Sequence, residues 1–435
     1  MNFLSAHATH PRWDMAVALV TAPLRAQLDA RLAAAQAPQP SAAVASMAGG
    51  RCMPSLGMLY VTDHLAGHVQ DMLDQLMATL PEVSDWVGTV AVGIVASGVE
   101  YWDEPALSVM LLDLPSDQYR VFSGVQPLPL AWPGGNGQPV LAQSAWVHAD
   151  PSTPDLTELV VELASRTRTG MVWGGLSSGR TGSVQVAHGS QGVPPGRGVS
   201  SGVVRGGLSG VAWGDGVTWQ AGVTQGCQPV GPTRRVTSAE GSLILTLDGQ
   251  PALDALLSDL GVSTETGLPL RLLRETLTAV EPGLPDLGQH PRHGALSVQA
   301  RVRHLLGLDP ARRALVSPDP VQEDERLTFC RRHAEVARSD LMAMCASLRE
   351  GVESPDDEGA APPQRIVGAL YASCVGRGGP HFGQPHAEMQ AVRRALGDVP
   401  LAGFFAAGEL AGQQLMGYSG VLVVFTDAVA SSPPR

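Results

Sequence analysis

The sequence predicts an α+β protein of two domains, in which mixed and largely antiparallel β-sheets are flanked by α-helices. Three observations carry this. The chain has 435 residues, 44% of them hydrophobic, which is enough to fill more than one core. Segments with helical spacing of apolar residues alternate with short strand-like runs towards both ends. Between them, Val184 to Leu247 consists of Val-rich runs broken by glycine and poor in charge, the pattern of antiparallel strands. No short-period repeat interrupts this organisation.

Taken in order, Trp13 to Ala35 has helical spacing of Ala, Leu and Val, and ends in the Pro-broken stretch Gln36 to Ser41. Gly57 to Thr62 reads as a buried strand and His64 to Leu80 as a helix. Strands follow at Gly88 to Ala96, Ala106 to Asp113 and Gln143 to His148, then a helix at Asp155 to Arg166 and a strand at Thr169 to Trp173. In the middle stretch, Gly202 to Ala212 and Gly216 to Thr224 are strands. Helices are predicted at Pro251 to Leu260 and Leu268 to Ala279, before a loop at Glu281 to Gly294. The last third holds a strand at Arg326 to Arg331, a helix at Glu335 to Arg349 and an acidic, mobile loop at Glu353 to Gln364. A strand at Ile366 to Ser373, a helix at Pro385 to Leu396, and paired strands at Leu401 to Ala406 and Tyr418 to Phe425 close the chain.

Composition narrows the chemistry. A formal net charge of -12 argues against nucleic-acid or anionic-membrane surfaces, which need clustered cations to replace counterions. The chain has no lysine, so all 29 basic residues are Arg, and neither a Walker A loop nor a lysine Schiff base can form. The five cysteines are scattered and form no CxxC pair, which predicts a reducing, cytoplasmic setting rather than a disulfide scaffold. No signal peptide is read at the start, and the most apolar run, Val87 to Val99, is shorter than a membrane span of about 20 residues.

Several motifs imitate active sites. Gly175-Leu176-Ser177-Ser178-Gly179 is a formal G-x-S-x-G, but Arg180 to Ser201 is too rich in Gly and Val to be the helix that motif requires. His386-Ala387-Glu388-Met389 resembles half of a zinc deaminase site, yet no cysteine follows Cys374 to complete it, so a helix N-terminal turn with Glu388 at the positive dipole end is expected. His64 and His68 have i, i+4 spacing but lack the Glu of HExxH. Cys330 and Cys345 read as small buried hydrophobes.

Two further constellations are alike. In Val223 to Pro232 a strand delivers Cys227 into a loop with Gly and Pro, and in Leu370 to Gly379 a strand delivers Cys374 into another. Glycines at such points let backbone N–H groups approach a ligand, and Arg377 adds a planar fork suited to a carboxylate. A catalytic alternative makes Cys374 a nucleophile with His381 or His386 as base, or Ser177 a hydrolase serine. A ligand-free interaction scaffold is the third possibility.

At these residues the sequence resembles the FIST family. The block from Thr224 to Leu256 is similar to the junction of the FIST N and FIST C domains, and Leu370 to Gly378, Phe382-Gly383, Leu396 to Leu410 and Gly417 to Phe425 are similar to the end of FIST C. Trp173 to Gly179 and Val92 to Leu111 resemble earlier glycine-rich blocks, although Ile94 and Val95 replace small or polar residues and the segment after Glu409 is shortened to Ala411-Gly412-Gln413-Gln414. The resemblance implies an N-terminal helix and linker over 1–45, a FIST N-like domain over 46–247, a FIST C-like domain over 248–428 and a disordered tail over 429–435. It further implies a sensory, signal-transducing module for an amino acid or related metabolite. In relatives this module is joined to kinases, cyclases, chemoreceptors or an F-box. Here, with no such output module expected, it would act through a separate signalling protein or its own assembly. Gly175, Ser177, Gln225, Gly226, Cys227 and Pro229, with Cys374, Gly376, Arg377, Gly408 and Glu409, are the expected ligand-binding residues. No catalytic residue, metal or cofactor is expected. The two Gly-Cys turns and the Gly408-Glu409 turn are expected to share one pocket between the domains, Arg377 meeting a carboxylate and Glu409 a cationic amine.

Overall fold

The computed structural model describes residues 1–36, 53–189, 202–262, 275–283, 300–353 and 364–428. Six α-helices occur among them: α1 (Trp13–Gln36), α2 (Val69–Thr79), α3 (Leu156–Ser165), α4 (Ala252–Asp259), α5 (Ala334–Glu353) and α6 (Ala387–Leu396). With the sheets described below they make an α+β protein of two compact units. The larger comprises residues 1–223, 342–415 and 420–435, and the smaller 224–341 and 416–419.

Among the described residues, the larger unit is built on three six-stranded sheets, with Trp132–Pro133 and Pro139–Val140 forming a small separate pair. The first runs Leu4–Thr9, Ala106–Leu112, Leu56–Thr62, Asp85–Ala91, Gln185–His188, Val203–Val204. Its central strands are buried throughout because both faces are covered, and the two-residue period divides their apolar side chains between two cores. Leu56, Met58 and Tyr60 enter a core shared by all three sheets. Leu59 and Val61 enter another with Val17, Val20, Leu24 and Leu28 of α1 and Met72, Leu73 and Leu76 of α2. The second sheet runs Gln414–Met416, Glu409–Gly412, Val172–Leu176, Ser144–Ala149, Leu208–Trp213, Tyr119–Phe122. It sends Trp146, Trp173 and Trp213 into the shared core, and Ala145, Val147 and Val172 against Val160, Leu163 and Ala164 of α3. The third runs Trp219–Gln225, Ser419–Ala428, Gln364–Cys374, Leu401–Ala406, Gly93–Ala96, Val99–Trp102. Chain order and compactness therefore differ: strands after residue 364 complete sheets begun by residues 93–102 and 144–176.

In the smaller unit one sheet runs Arg301–His304, Thr276–Glu281, Arg326–Arg332, Arg234–Glu240, Leu243–Leu247, Ala314–Val316, Gly307–Asp309. Cys227–Pro229 joins it beside Arg326–Arg332. Leu253, Leu256 and Leu257 of α4 pack on it with Val236, Ile244, Leu247 and Phe329.

Several expectations are corrected. Of the helix expected at Leu268 to Ala279, the described part belongs to the strand Thr276–Glu281, in which Thr276, Thr278 and Val280 place β-branched side chains at alternate positions. The strands Leu401–Ala406 and Ser419–Ala428 do not pair with each other: Gln364–Cys374 lies between them, parallel to the first and antiparallel to the second. The helix α6 is the crossover that parallel pairing demands. Strands of the Val184 to Leu247 stretch join several sheets instead of one. The helix expected from His64 begins as a 3₁₀ turn, Asp63–His68, so His64 and His68 do not share a helix face at four-residue spacing. Leu4–Thr9, absent from the expected elements, is an edge strand. The linker after Gln36, most of the loops following Glu281 and Glu353, and the tail 429–435 lie outside the described residues.

Candidate small-ligand site

The strand Gln364–Cys374 has two working faces. Leu370 and Ala372 enter the shared core, whereas Tyr371 and Ser373, on the opposite face, meet α6. The strand ends in a turn: Val375 N–H donates to the Ala406 carbonyl at 2.9 Å, and Arg377 N–H to the Cys374 carbonyl at 2.7 Å. Glycine is required next, because a Cβ on Gly378 would stand 2.1 Å from the Trp102 ring, and Gly379 has φ +67°. The chain then reaches His386, left-handed at φ 64°, and α6 begins.

Glu388, in the first turn of α6, gathers the polar groups. Its Oε1 accepts from Tyr371 Oη at 2.8 Å, from Ser373 Oγ at 3.1 Å and from Arg377 Nε at 2.9 Å. Arg377 Nη2 also lies 2.8 Å from Oε1, and both side chains are 1% exposed. Burial is the largest influence and disfavours the guanidinium charge, but Glu388, Tyr371 and Glu409 together outweigh it and hold Arg377 above its ordinary value. Burial, and then Glu388, push the Tyr371 hydroxyl up, and the same causes raise the Cys345 thiol of α5 to about 12. The Phe382 ring lies 5.2 Å from the Arg377 guanidinium carbon, a cation–π contact. Arg377 Nη2 completes no hydrogen bond at its distance from Oε1, and Nη1 finds no acceptor among the described residues. Glu388 thus supplies the carboxylate that Arg377 was expected to find in a ligand, and leaves one edge of the fork over.

The second sheet brings other residues to the cluster. Glu409 pairs in register with Gly175, and the Gly408 carbonyl accepts the Leu176 N–H at 2.8 Å. A Cβ on Gly175 would come within 2.6 Å of Ala406 Cβ, so this glycine allows two sheets to approach. Cys374 is the register partner of Ala406. Glu409 is fully buried, and its charge acts on Arg377. Gly175, Cys374, Gly376, Arg377, Gly408 and Glu409 therefore belong to one neighbourhood in the larger unit.

Ser177 is close in sequence but differently engaged. Its buried hydroxyl lies 2.6 Å from Thr89 Oγ1, and strand Gln185–His188, not a helix, follows the motif over the described residues. In the smaller unit, Gln225 N–H donates to Asp340 Oδ2 at 2.7 Å and Gly226 N–H to the Tyr418 carbonyl at 3.1 Å. Cys227 is buried with Cys330, which is the register partner of Pro229. Cys330 is buried, as expected, and its thiol is raised by its bond to Cys227 and then by burial. The turns carrying Cys374 and Cys227 belong to different compact units.

The chain matches the FIST N domain over residues 55–250 and the FIST C domain over residues 252–412. An uncharacterized protein of Mycobacterium tuberculosis strain H37Rv, Rv0628c, is 30% identical over 421 residues, covering 92% of this chain and 97% of the relative. The chain belongs to the FIST family. A second relative of this FIST protein, the uncharacterized Mb0898c of Mycobacterium bovis, is 32% identical over 219 residues, covering 47% of the chain and 50% of that protein. FIST domains are associated with sensory and signal-transduction roles. No helix among the described residues is long and apolar enough to cross a membrane.

Four functional candidates of this FIST chain escaped sequence reasoning: Glu100, Tyr371, Ser373 and the full role of Glu388. A helix N-terminal Glu is common for dipole reasons alone, which concealed Glu388. The available signal was Glu100, an acid at the end of the apolar block Val87 to Val99.

Proposed function

We propose that this FIST protein is a cytoplasmic, bacterial-type sensor that binds a small metabolite, an amino acid or a related compound, at the Cys374–Arg377–Glu409 neighbourhood and signals through a separate partner protein. One observation carries the reading: a buried guanidinium holds an internal carboxylate with one edge while Nη1 lacks an acceptor among the described residues. A buried charged donor left unsatisfied costs free energy that a ligand's acceptor would recover. Gly376 and Gly408 are proposed to let backbone approach the ligand there, while Gly175 brings the two sheets together. Glu409 is the proposed contact for an amine. In the smaller unit, Gln225, Gly226, Cys227 and Pro229 are proposed as a second ligand-facing turn, supported by the buried Gln225 Oε1, which has no partner among the described residues.

Thermal-shift screening with amino acids and related metabolites tests the reading. A ligand should raise the melting temperature of the wild type and lose affinity at least tenfold in Glu409→Gln. Equal binding by that variant would remove Glu409 from the site, and a screen without any stabilising compound would remove the function.

A further inference from the structure

Helix α6 begins without a capping side chain of its own, since His386 makes no side-chain cap bond. Its first free amides are satisfied from a strand nearly three hundred residues away in sequence. Met389 N–H donates to Glu100 Oε1 at 3.1 Å, and the Glu388 N–H bonds the same carboxyl. In return, Glu100 N–H donates to His386 Nδ1 at 3.1 Å. Glu100 therefore holds both sides of the start of the helix that delivers Glu388 to Arg377.

The groups facing this carboxyl come from every neighbouring element: His386 and Glu388 from the start of α6, and Arg377 from the turn before it. Arg393 of α6 stands against Gly98 in the turn of the same hairpin, and Tyr101, next in the strand, bonds His7 at 2.6 Å. Glu100 is only 6% exposed. Two carboxyls thus crowd one guanidinium out of water.

We propose that Glu100 is a proton-operated cap that regulates the Arg377 site: gain or loss of one proton on its carboxyl changes the charge facing Arg377 and Glu388, and with it how firmly the start of α6 is held. Its part in ligand control rests on the proposed ligand site, whereas the switch itself belongs to the ligand-free protein. Burial, followed by the charge of Glu388, raises this carboxyl to about 7, outweighing its bonds to the Met389 and Glu388 amides. Because the folded value is raised, the proton favours the closed start of α6, and opening is favoured as pH rises through neutrality.

Two measurements on ligand-free protein decide it. In ¹³C NMR the Glu100 carboxyl should titrate with a midpoint near 7. Amide exchange at Met389 and Gln390, corrected for intrinsic rates, should lose on the order of tenfold or more of its protection between slightly acid and slightly alkaline pH, and Glu100→Gln should abolish that dependence. A Glu100 midpoint in the ordinary glutamate range, or a pH dependence that survives in Glu100→Gln, overturns the proposal. The wild-type titration is decisive by itself even if the variant does not fold. A fruitless ligand screen leaves both results standing, so failure of the switch and failure of the ligand site are separate outcomes.

Discussion

Arg377 and Glu388 form an ion pair buried on both sides, with Nε donating to Oε1 at 2.9 Å and each side chain 1% exposed. The pair joins the end of a strand to the start of a helix eleven residues later, and it fixes the turn that carries Cys374 and the glycines between them. Arg377→Met should destabilise the protein by roughly 3–5 kcal/mol, because it strands a buried carboxylate. Urea unfolding measures this; a loss under about 1 kcal/mol would mean that the pair is solvated in solution.

His148 should set an acid limit. Its ring is fully buried, Nε2 lies 3.2 Å from Tyr60 Oη, and burial lowers its pKa to about 3. A depressed value means that the ring contributes stability above the ordinary histidine pKa, lost as pH falls towards the folded value. The loss is on the order of 5 kcal/mol over that window. Melting temperatures recorded from neutral to acid pH should fall more steeply for the wild type than for His148→Gln; parallel curves would contradict this.

Gly175 and Ser177 should behave as structural residues. Gly175→Ala forces a methyl towards Ala406 at 2.6 Å and should cost about 1–3 kcal/mol. Ser177→Ala loses the bond to Thr89 and should cost about 1 kcal/mol. Denaturation curves report both, and ester or amide turnover abolished by Ser177→Ala would reverse the interpretation of this motif.

The buried thiols should be slow. Cys345 is raised to about 12 by burial and Cys330 is raised by Cys227, so thiolate is scarce at either position. Alkylation followed by mass spectrometry should label both at least about tenfold more slowly in native protein than in urea. Equal rates would show that these elements open freely.

Much of the fold was legible because local pattern and burial agree. Strand Leu56–Thr62 reads as strand from its unbroken apolar run, and α1 from Val17, Val20, Leu24 and Leu28 recurring on one face. Thr276–Glu281 was misread because its leucine and alanine suited a helix, whereas pairing with Arg326–Arg332 decided the outcome. Sheet membership was hidden for a related reason. The contact between Gly93–Ala96 and Leu401–Ala406 joins segments some three hundred residues apart, which no local periodicity encodes. At the site, the Gly-Cys turn, Arg377 and Glu409 stood out as charges in glycine-rich apolar blocks. The roles of Glu100 and Tyr371 did not, because they lie in partners brought by the crossover helix.

The central claim, that a small molecule occupies the Arg377 neighbourhood, is tested most directly by amide chemical-shift mapping with whichever metabolite raises the melting temperature. The account predicts saturable shifts centred on Gly376, Arg377, Gly408 and Glu409. Shifts confined to residues remote from this cluster, or none at saturating ligand, would contradict it.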